Sequence, residues 1–162
     1  MEDLRANCGI SVVDSSWVKV EGLYLHDANL HNIAVYNSHD CEVAGLDAAR
    51  SNDKNICVIE VKKVRLINNY CHDSQVEDGI CCHGPVGPYM LIARNRTTGN
   101  PRYCIHVVIK NDYAIVARNV SLSNRIDLGV VGVPPFTHWK GVKQEDKGLI
   151  LIENPVSEKK NP

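Results

Sequence analysis

Three aspartates are the side chains of this chain best suited to acid–base chemistry: Asp53, Asp73 and Asp78. Asp53 and Glu77 are 24 positions apart, and Asp78 follows directly, so carboxylates return here at the period of a repeat that runs through the chain. If successive repeats stack, carboxylates in neighbouring repeats lie roughly 5 Å apart, which is the separation of the two acids of a retaining glycosidase. We therefore take these three aspartates as the candidate catalytic residues.

The same positions also have structural interpretations. One set of charged residues stacks acids and bases at the same position of successive repeats, and an acid–base ladder of ion pairs would explain it without catalysis. Its members are Asp53, Glu77, Arg102 and Arg125. Around Asp73 a third option exists, because Arg50 beside Asp27 and Asp73 resembles the arginine base and calcium-binding carboxylates of a β-elimination lyase. The spacing does not require that arrangement.

Aromatic, acidic and basic residues recur together at one part of the repeat. Ring faces stack on sugar rings while charged groups bind sugar hydroxyls, so this mixture is typical of carbohydrate sites. The predicted polysaccharide-binding residues are Tyr24, His26, Asp27, Asp47, Arg50, Tyr70 and His72. The alternative is a structural ion ladder of Asp27, Arg50 and Asp73 beside ordinary surface tyrosines.

The seven cysteines are an odd number and follow no disulfide-scaffold spacing. Those predicted to be small, reduced core residues are Cys41, Cys71 and Cys82. Cys57, Cys81 and His106 fall in successive repeats, close enough to bind a soft metal ion or, for the two cysteines, to form a disulfide. Because a set of four ligands is not evident, a half-buried interface row is favoured. No metal or other cofactor is predicted.

These residues are organised by an isoleucine that returns about every 23 positions. The series is Ile10, Ile33, Ile56, Ile80, Ile105 and finally Leu128. A valine or cysteine follows two positions later, and further apolar residues follow eight and ten positions later, an offset that selects Tyr113 and Ile115 in the fifth repeat. A repeat this short cannot bury its own apolar residues, so its copies must stack on one another.

Each repeat contains three short segments in which apolar and polar residues alternate, which is the period of a β-strand. One repeat therefore forms one coil of three strands, and like strands pair in parallel roughly 4.8 Å apart. Glycine or asparagine usually precedes the isoleucine, as at Gly9, Asn32, Asn55 and Gly79, and these residues tolerate a left-handed backbone. Asn32 above Asn55 is also placed to form a ladder of side-chain amides.

The segments Val64–Asn69 and Glu77–Ile80 resemble coil sequences of the right-handed parallel β-helix in the pectin-lyase-like superfamily. The resemblance covers about residues 8 to 133. It implies an all-β fold, a single-stranded right-handed parallel β-helix of about six coils with 23–25 residues and three short strands per coil. That superfamily includes lyases, hydrolases, epimerases and non-catalytic fibres, so the resemblance predicts the fold more narrowly than the function.

Two further segments, Ser51–Asp53 and Val76–Asp78, are similar to the carboxylate motifs of polygalacturonase-like hydrolases, and His83 with Gly84 is similar to their His-Gly motif. In that family the His-Gly element falls a coil later, whereas here His83 follows Asp78 by five residues. The resemblance therefore supports Asp53 and Asp78 as catalytic candidates and does not extend to His83.

One outward row of the first strand is too apolar for a solvated sheet face. Its predicted members are Val13, Tyr36, Ile59, His83, Val108 and Val131. We expect another subunit or a terminal segment to cover this row, in the way that trimeric viral tailspikes of similar fold bury β-helix faces against each other. The open strand edges of a short stack also need partners. A homo-oligomer, with a trimer favoured, or a place in a longer chain is predicted.

Composition narrows the classes of partner and location. The formal net charge of −1 offers no electrostatic case for nucleic acid or an anionic membrane surface. No run approaches the roughly 20 apolar residues that span a bilayer, and the first residues lack the layout of a signal peptide. We expect a virion-associated protein, or one exported without a classical signal peptide.

The repeat also predicts the organisation of the chain. A lead-in or cap covers residues 1–8, the β-helix 9–133, an irregular coil or cap 134–156, and a tail 157–162. Within the third of these, residues 149–152 are either one more strand or part of the cap. The predicted function is a carbohydrate-associated β-helix that binds an extended polysaccharide, with hydrolase or lyase activity left open. The alternative is a non-catalytic structural module of a viral spike, fibre or larger assembly.

Overall fold

A computed structural model describes residues 7–83, 89–108, 114–122, 126–131 and 149–152 of the chain. Over these residues the chain forms seventeen short strands, which stack into three parallel sheets. In the described residues, no helix has the length and apolar character needed to cross a membrane.

Like strands of successive coils lie side by side in each sheet, and all pairs are parallel. The first sheet contains β1 (Ile10–Val13), β4 (Ile33–Tyr36), β7 (Ile56–Ile59), β10 (Ile80–His83), β13 (Tyr103–Val108) and β16 (Ile126–Val131). The second contains β2 (Lys19–Glu21), β5 (Glu42–Ala44), β8 (Arg65–Ile67), β11 (Met90–Ala93), β14 (Ala114–Ala117) and β17 (Leu149–Ile152). The third contains β3 (Tyr24–His26), β6 (Asp47–Ala49), β9 (Tyr70–His72), β12 (Arg96–Thr98) and β15 (Val120–Leu122). The predicted all-β parallel coil with three strands per turn is confirmed.

The repeating isoleucine sets the register of the first sheet. Ile33 pairs with Ile10 and Ile56, and the line continues to Leu128 as predicted. From Ile33 to Ile105 its members are at most 2% exposed, and they meet inward residues of the other two sheets in one core. Each such buried side chain contributes about 1.5–3 kcal/mol, so the core is the main source of stability.

Buried asparagines form the predicted amide ladder at the turn before the first sheet. Asn32 Nδ2 donates to Asn55 Oδ1 at 2.8 Å, and Asn55 Nδ2 donates to Asn100 Oδ1 at 3.3 Å. The coil between them carries Gly79, where an added Cβ would lie 2.8 Å from Asn100 Nδ2. The side chain of Asn100 therefore fills the place that an asparagine would occupy in that coil.

A second ladder, which the sequence analysis missed, runs between the second and third sheets. Asn69 Nδ2 donates to Asn95 Oδ1 at 3.0 Å, and Asn95 Nδ2 donates to Asn119 Oδ1 at 2.9 Å. Each amide also binds backbone, as when Asn95 Nδ2 donates to the Leu66 carbonyl at 2.9 Å. The sequence does contain a signal for this ladder, since each asparagine stands three positions after an inward residue of the second sheet.

Left-handed backbone occurs at the coil corners and not before the isoleucines, so that part of the sequence prediction was wrong. Gly22, Gly45 and Asn68 occupy one such corner with φ of 67°, 59° and 56°. Gly9 and Gly79 serve close approach instead, because an added Cβ would lie 2.7 Å from the Asn32 carbonyl oxygen and 2.8 Å from the Cys104 carbonyl oxygen respectively.

The fifth coil departs from the predicted register by one residue. Ile92 pairs with Val116, which is fully buried, whereas Ile115 pairs with Leu91 and is 37% exposed. Counting ten positions from Ile105 selects Ile115, but eleven positions separate Ile105 from the inward Val116. One additional residue between the two strands moved every later side chain of β14 to the opposite face. Tyr113, the other residue predicted there, lies outside the described residues.

The last strand, β17, lies beside β14 as part of the second sheet. Residues 149–152 are thus one more strand of the stack. On the outer surface of the second sheet, Glu42 is 3.4 Å from Lys19 and 2.9 Å from Arg65, so that face carries the cross-strand ion pairs expected of it.

Candidate functional site

The outer surface of the third sheet brings together most of the predicted polysaccharide-binding residues. In the register Tyr24 pairs with Asp47, Asp47 with Tyr70, and Tyr70 with Arg96, so four successive coils place these side chains in one row. His26, Ala49 and His72 form the neighbouring row. We call Tyr24, His26, Asp47, Tyr70, His72 and Arg96 the third-sheet face.

The rings of this face are held in defined orientations. Tyr70 and His72 stack with ring centroids 4.4 Å apart and planes inclined by 21°. The Arg96 guanidinium lies over the Tyr70 ring, 5.2 Å from its centroid. Tyr24 meets His26 edge to face at 5.1 Å and is 60% exposed. Arg96 was not among the predicted residues, although its position in the row follows from the repeat.

Carboxylates on the same surface are largely occupied by basic partners. Arg50 makes a bidentate pair with Asp27, with both nitrogen–oxygen distances 2.8 Å. Hydrogen bonds from Arg50 and then His26 hold the pKa of Asp27 well below its usual range. His72 lies 3.0 Å from Asp47 and 2.7 Å from Asp73 through its two ring nitrogens. The Asp27–Arg50 pair is part of the ion ladder that the sequence offered as an alternative, whereas Asp73 contacts His72 of its own coil.

A second group of charged residues lies at the turn before the first sheet. Lys54 Nζ is 2.7 Å from Asp53 and 2.6 Å from Glu77, and Arg102 is 3.0 Å from the other oxygen of Glu77. Burial alone would lower the pKa of Lys54, but the hydrogen bonds to Asp53 and Glu77 raise it above the ordinary value. Asp53, Glu77 and Arg102 therefore form part of the acid–base ladder considered for these positions, with Lys54 as a member that the sequence analysis overlooked. Arg125, the last predicted member, lies outside the described residues.

Next to this ladder three chemically distinct side chains converge at the first sheet and are buried there. Asp78 and Cys81 are fully buried and His106 is 6% exposed. His106 Nδ1 lies 3.3 Å from Asp78 Oδ2 and 3.8 Å from Cys81 Sγ. The other oxygen of Asp78 accepts the backbone N–H of Tyr103 at 3.1 Å, and the Tyr103 ring stacks on His106 with centroids 4.5 Å apart.

This arrangement does not suit a cysteine nucleophile. In a nucleophilic site one imidazole nitrogen contacts the thiol and the other is oriented by an acid, whereas here Nδ1 faces both groups. Burial also pushes the pKa of Cys81 well above its usual range and raises the pKa of Cys57 to about 12. Thiols in such surroundings stay protonated and are poor nucleophiles unless a bound cation lowers their pKa. None of the seven cysteines, including the neighbouring Cys57 and Cys81, is in a disulfide.

The three candidate catalytic aspartates occupy different environments. Asp53 belongs to the Lys54 ladder, Asp78 is enclosed beneath it, and Asp73 stands exposed at the corner after β9. Backbone hydrogen bonds link the turns of Asp53 and Glu77, so the coils are adjacent as predicted. The Asp78 carboxylate, however, is out of reach of a polymer lying on the surface.

The apolar row predicted as an interface runs along the first sheet in the expected register. Val13, Tyr36 and Ile59 are partly buried in the single chain and His83 is exposed. The side chains of Val108 and Val131 lie outside the described residues. The adjacent row of Ala34, Cys57, Cys81 and His106, expected to be half-buried, is buried.

Comparison with known proteins supports the architecture. A family model described as the right-handed β-helix region matches residues 8–155. No curated protein sequence matches the chain. The family match spans well over half of the 162 residues, and the stacked parallel sheets have the architecture that the family name describes. The chain therefore belongs to the right-handed β-helix family.

Proposed function

We propose that this β-helix binds an extended polysaccharide along its third-sheet face. The observation that carries the proposal is the row of Tyr24, Asp47, Tyr70 and Arg96 on four successive coils, with rings held by stacking and by cation–π contact. Coils repeat at roughly 4.8 Å, close to the advance of a glycan chain per sugar. A polymer aligned with the stack would thus meet a comparable group at each coil.

The charges of this surface favour a hydroxyl-rich polymer of low charge. Arg50 and Arg96 carry two positive charges, and Asp27, Asp47 and Asp73 carry three negative charges, so with neutral histidines the sum is 2 − 3 = −1. A strongly anionic glycan would meet no net attraction here. Carboxylates and guanidinium groups side by side offer both acceptors and donors to sugar hydroxyls, while the tyrosine rings take the apolar sugar faces.

The geometry supports binding more directly than cleavage. Asp53 is held by Lys54, and Asp78 is enclosed, so neither lies on the third-sheet face. Exposed Asp73 does adjoin that face, with His72 at 2.7 Å. Under the binding proposal, neither the parent chain nor the Asp73→Ala variant shortens the glycan, because binding requires no catalytic acid. A rise in reducing ends, or in unsaturated ends absorbing in the ultraviolet, would instead show an enzyme.

The binding experiment is affinity electrophoresis of the purified chain through gels containing neutral or acidic polysaccharides. We expect retardation by a neutral polysaccharide, little affected by salt. Tyr24→Ala and Tyr70→Ala should each lower the association constant about two- to tenfold, as expected for 0.5–1.5 kcal/mol per ring. Trp17→Ala is the matched control, since Trp17 is 78% exposed at a corner of the second sheet. Equal loss in the control, or no retardation in any gel, would contradict the proposal.

A structural role in an oligomer is the second candidate. It rests on the partly buried apolar residues Val13, Tyr36 and Ile59, aligned along the outer surface of the first sheet. This role is compatible with glycan binding because the two surfaces belong to different sheets.

A further inference from the structure

We propose that Asp78, Cys81 and His106 form a binding site for a single zinc ion. The ligand atoms of these three residues all lie within 4.8 Å of one another, and all three residues are buried. The proposal is independent of polysaccharide binding, because Cys81 and His106 belong to the first sheet and the glycan would lie on the third-sheet face.

The coils create this convergence. Cys81 of β10 stands directly beside His106 of β13 in the parallel register, so their side chains project from the same face of neighbouring strands. Asp78 lies in the turn that leads into β10, and its Oδ1 is anchored by the backbone N–H of Tyr103 at 3.1 Å. That bond turns Oδ2 towards the histidine. Residues from two coils are thus fixed by the backbone before any ion arrives.

Two of the three distances between ligand atoms are close to those of tetrahedral coordination. Zinc binds nitrogen and oxygen at about 2.0–2.2 Å and sulfur at about 2.3 Å, so ligands on a tetrahedron lie about 3.3–3.7 Å apart. His106 Nδ1 is 3.3 Å from Asp78 Oδ2 and 3.8 Å from Cys81 Sγ. The third pair, Asp78 and Cys81, lies within 4.8 Å, so an ion placed between the three atoms would draw these two side chains together.

Without an ion, the three groups satisfy each other poorly. Nδ1 can donate one proton, to either the carboxylate or the thiol, and both separations are long for a hydrogen bond. A buried carboxylate needs a compensating charge. The nearby amine of Lys54 is already 2.7 Å from Asp53 and 2.6 Å from Glu77. A divalent cation would supply the missing positive charge.

The donor atoms select the class of ion. One sulfur, one imidazole nitrogen and one carboxylate oxygen suit zinc, whereas calcium and magnesium prefer oxygen alone. Within the described part of the chain, the group of mutually close ligand atoms contains three members. The fourth position of the tetrahedron is accordingly assigned to water.

The experiment uses the full chain, stripped with a chelator and then titrated with zinc or cobalt(II). We expect one zinc ion per chain, a higher unfolding temperature, and a thiolate-to-cobalt charge-transfer band in the near ultraviolet. Cys81→Ser, His106→Gln and Asp78→Asn should each lower the association constant at least about tenfold, as second-sphere changes alone already do. Cys71→Ser removes a fully buried cysteine elsewhere in the core and should bind zinc like the parent chain.

X-ray absorption of the zinc-loaded parent protein tests the site without a variant that must fold. We expect one sulfur at about 2.3 Å with nitrogen and oxygen neighbours completing the shell. A shell of nitrogen and oxygen only, more than one sulfur ligand, or no zinc retained after dialysis would overturn the proposal. So would a Cys71→Ser variant that loses zinc as fully as Cys81→Ser.

Discussion

At the scale of single residues, buried asparagine side chains help to hold the coils in register. Asn95 accepts the backbone N–H of Asn69 at 2.9 Å, donates to the Leu66 carbonyl and donates to Asn119. Each bond joins groups from different coils, and each satisfies polar groups that are buried. The asparagines therefore specify which residues face each other across the corner.

Replacing Asn95 by alanine should lower the free energy of unfolding by about 2–4 kcal/mol. Two buried donors, the backbone N–H and one side-chain N–H of Asn69, lose their acceptor Asn95 Oδ1, and each such loss costs about 1–3 kcal/mol. Urea denaturation measures the change. Asn52→Ala is the control, because the Asn52 side chain is exposed, and it should change stability by less than about 0.5 kcal/mol. Similar losses in both variants would show that the ladder contributes no more than an ordinary surface amide.

His31 should make the protein less stable in mild acid. Burial lowers its pKa to about 4 from an ordinary value of 6.5, and nearby Asp53 only partly opposes this shift. The unfolded chain therefore binds a proton at a pH where the folded chain does not. Above about pH 6.5 His31 is neutral in both states and does not lower the free energy of unfolding. As the pH falls towards 4, protonation of the unfolded chain lowers the free energy of unfolding by about 2–3 kcal/mol.

Denaturant midpoints measured between those pH values test this prediction. His31→Gln should flatten the pH dependence, because glutamine does not titrate. His39→Gln should preserve it, since the ring of His39 is exposed. The groups facing His31 are Asp53, Lys54 and Glu77, and their charges are retained in both variants. An unchanged slope in His31→Gln would assign the acid sensitivity to other groups.

At the scale of the coil, glycine has a conformational role at the corners and a steric role where neighbouring coils lie close together. Gly22 has φ of +67° and an added Cβ would meet nothing within 4 Å, so its role is purely conformational. At Gly79 an added Cβ would lie 2.8 Å from both Asn100 Nδ2 and the Cys104 carbonyl oxygen, so its role is steric. The equivalent of Gly22 two coils later is Asn68, which also adopts a left-handed backbone.

The stability cost of asparagine relative to alanine should consequently differ between the two glycine positions. Gly22→Ala costs about 1–2 kcal/mol and Gly22→Asn costs less, because asparagine tolerates the left-handed region. Gly79→Ala costs about 1–3 kcal/mol through overpacking, and Gly79→Asn costs more than alanine because it is larger. Thermal or urea denaturation of the four variants gives the order. Rescue by asparagine at position 79, or its failure at position 22, would contradict these assignments.

The coil scale is also where inference from sequence was least accurate. The isoleucine spacing predicted the first sheet and the first copies of the other two, because inward residues alternate with polar ones. It misplaced the fifth copy of the second strand, since a fixed offset cannot detect one added residue. Aligning Asn69, Asn95 and Asn119 would have placed Val116 inward, because these amides stand at a constant distance from the inward residues.

At the scale of the whole molecule, the apolar row of the first sheet predicts self-association. Ile59 lies in that row, partly buried in the single chain, between Tyr36 and His83 of the neighbouring coils. Light scattering at micromolar concentration should show an oligomer, with a trimer favoured. Ile59→Lys should raise its dissociation constant at least about tenfold, because a buried ammonium group without a partner is costly.

The control for this experiment is Ile115→Lys. Ile115 is an outward isoleucine of the second sheet, 37% exposed, so the same charge enters a different surface. It should leave the oligomer intact. A monomeric parent chain would contradict the prediction. Equal dissociation of the Ile59→Lys and Ile115→Lys variants would show that the first sheet is not the interface.

The sequence by itself determined the coil, its three strands, the pairing of like residues and the amide pair of Asn32 and Asn55, because a short repeat has one way to bury its apolar positions. Only the tertiary structure decided the environment of the charged and polar residues. It joined Lys54 to two acids, enclosed Asp78 with Cys81 and His106, and placed Arg96 over Tyr70. Register places a residue within a row, whereas burial and partners depend on side chains from several coils at once, which a one-dimensional repeat does not encode.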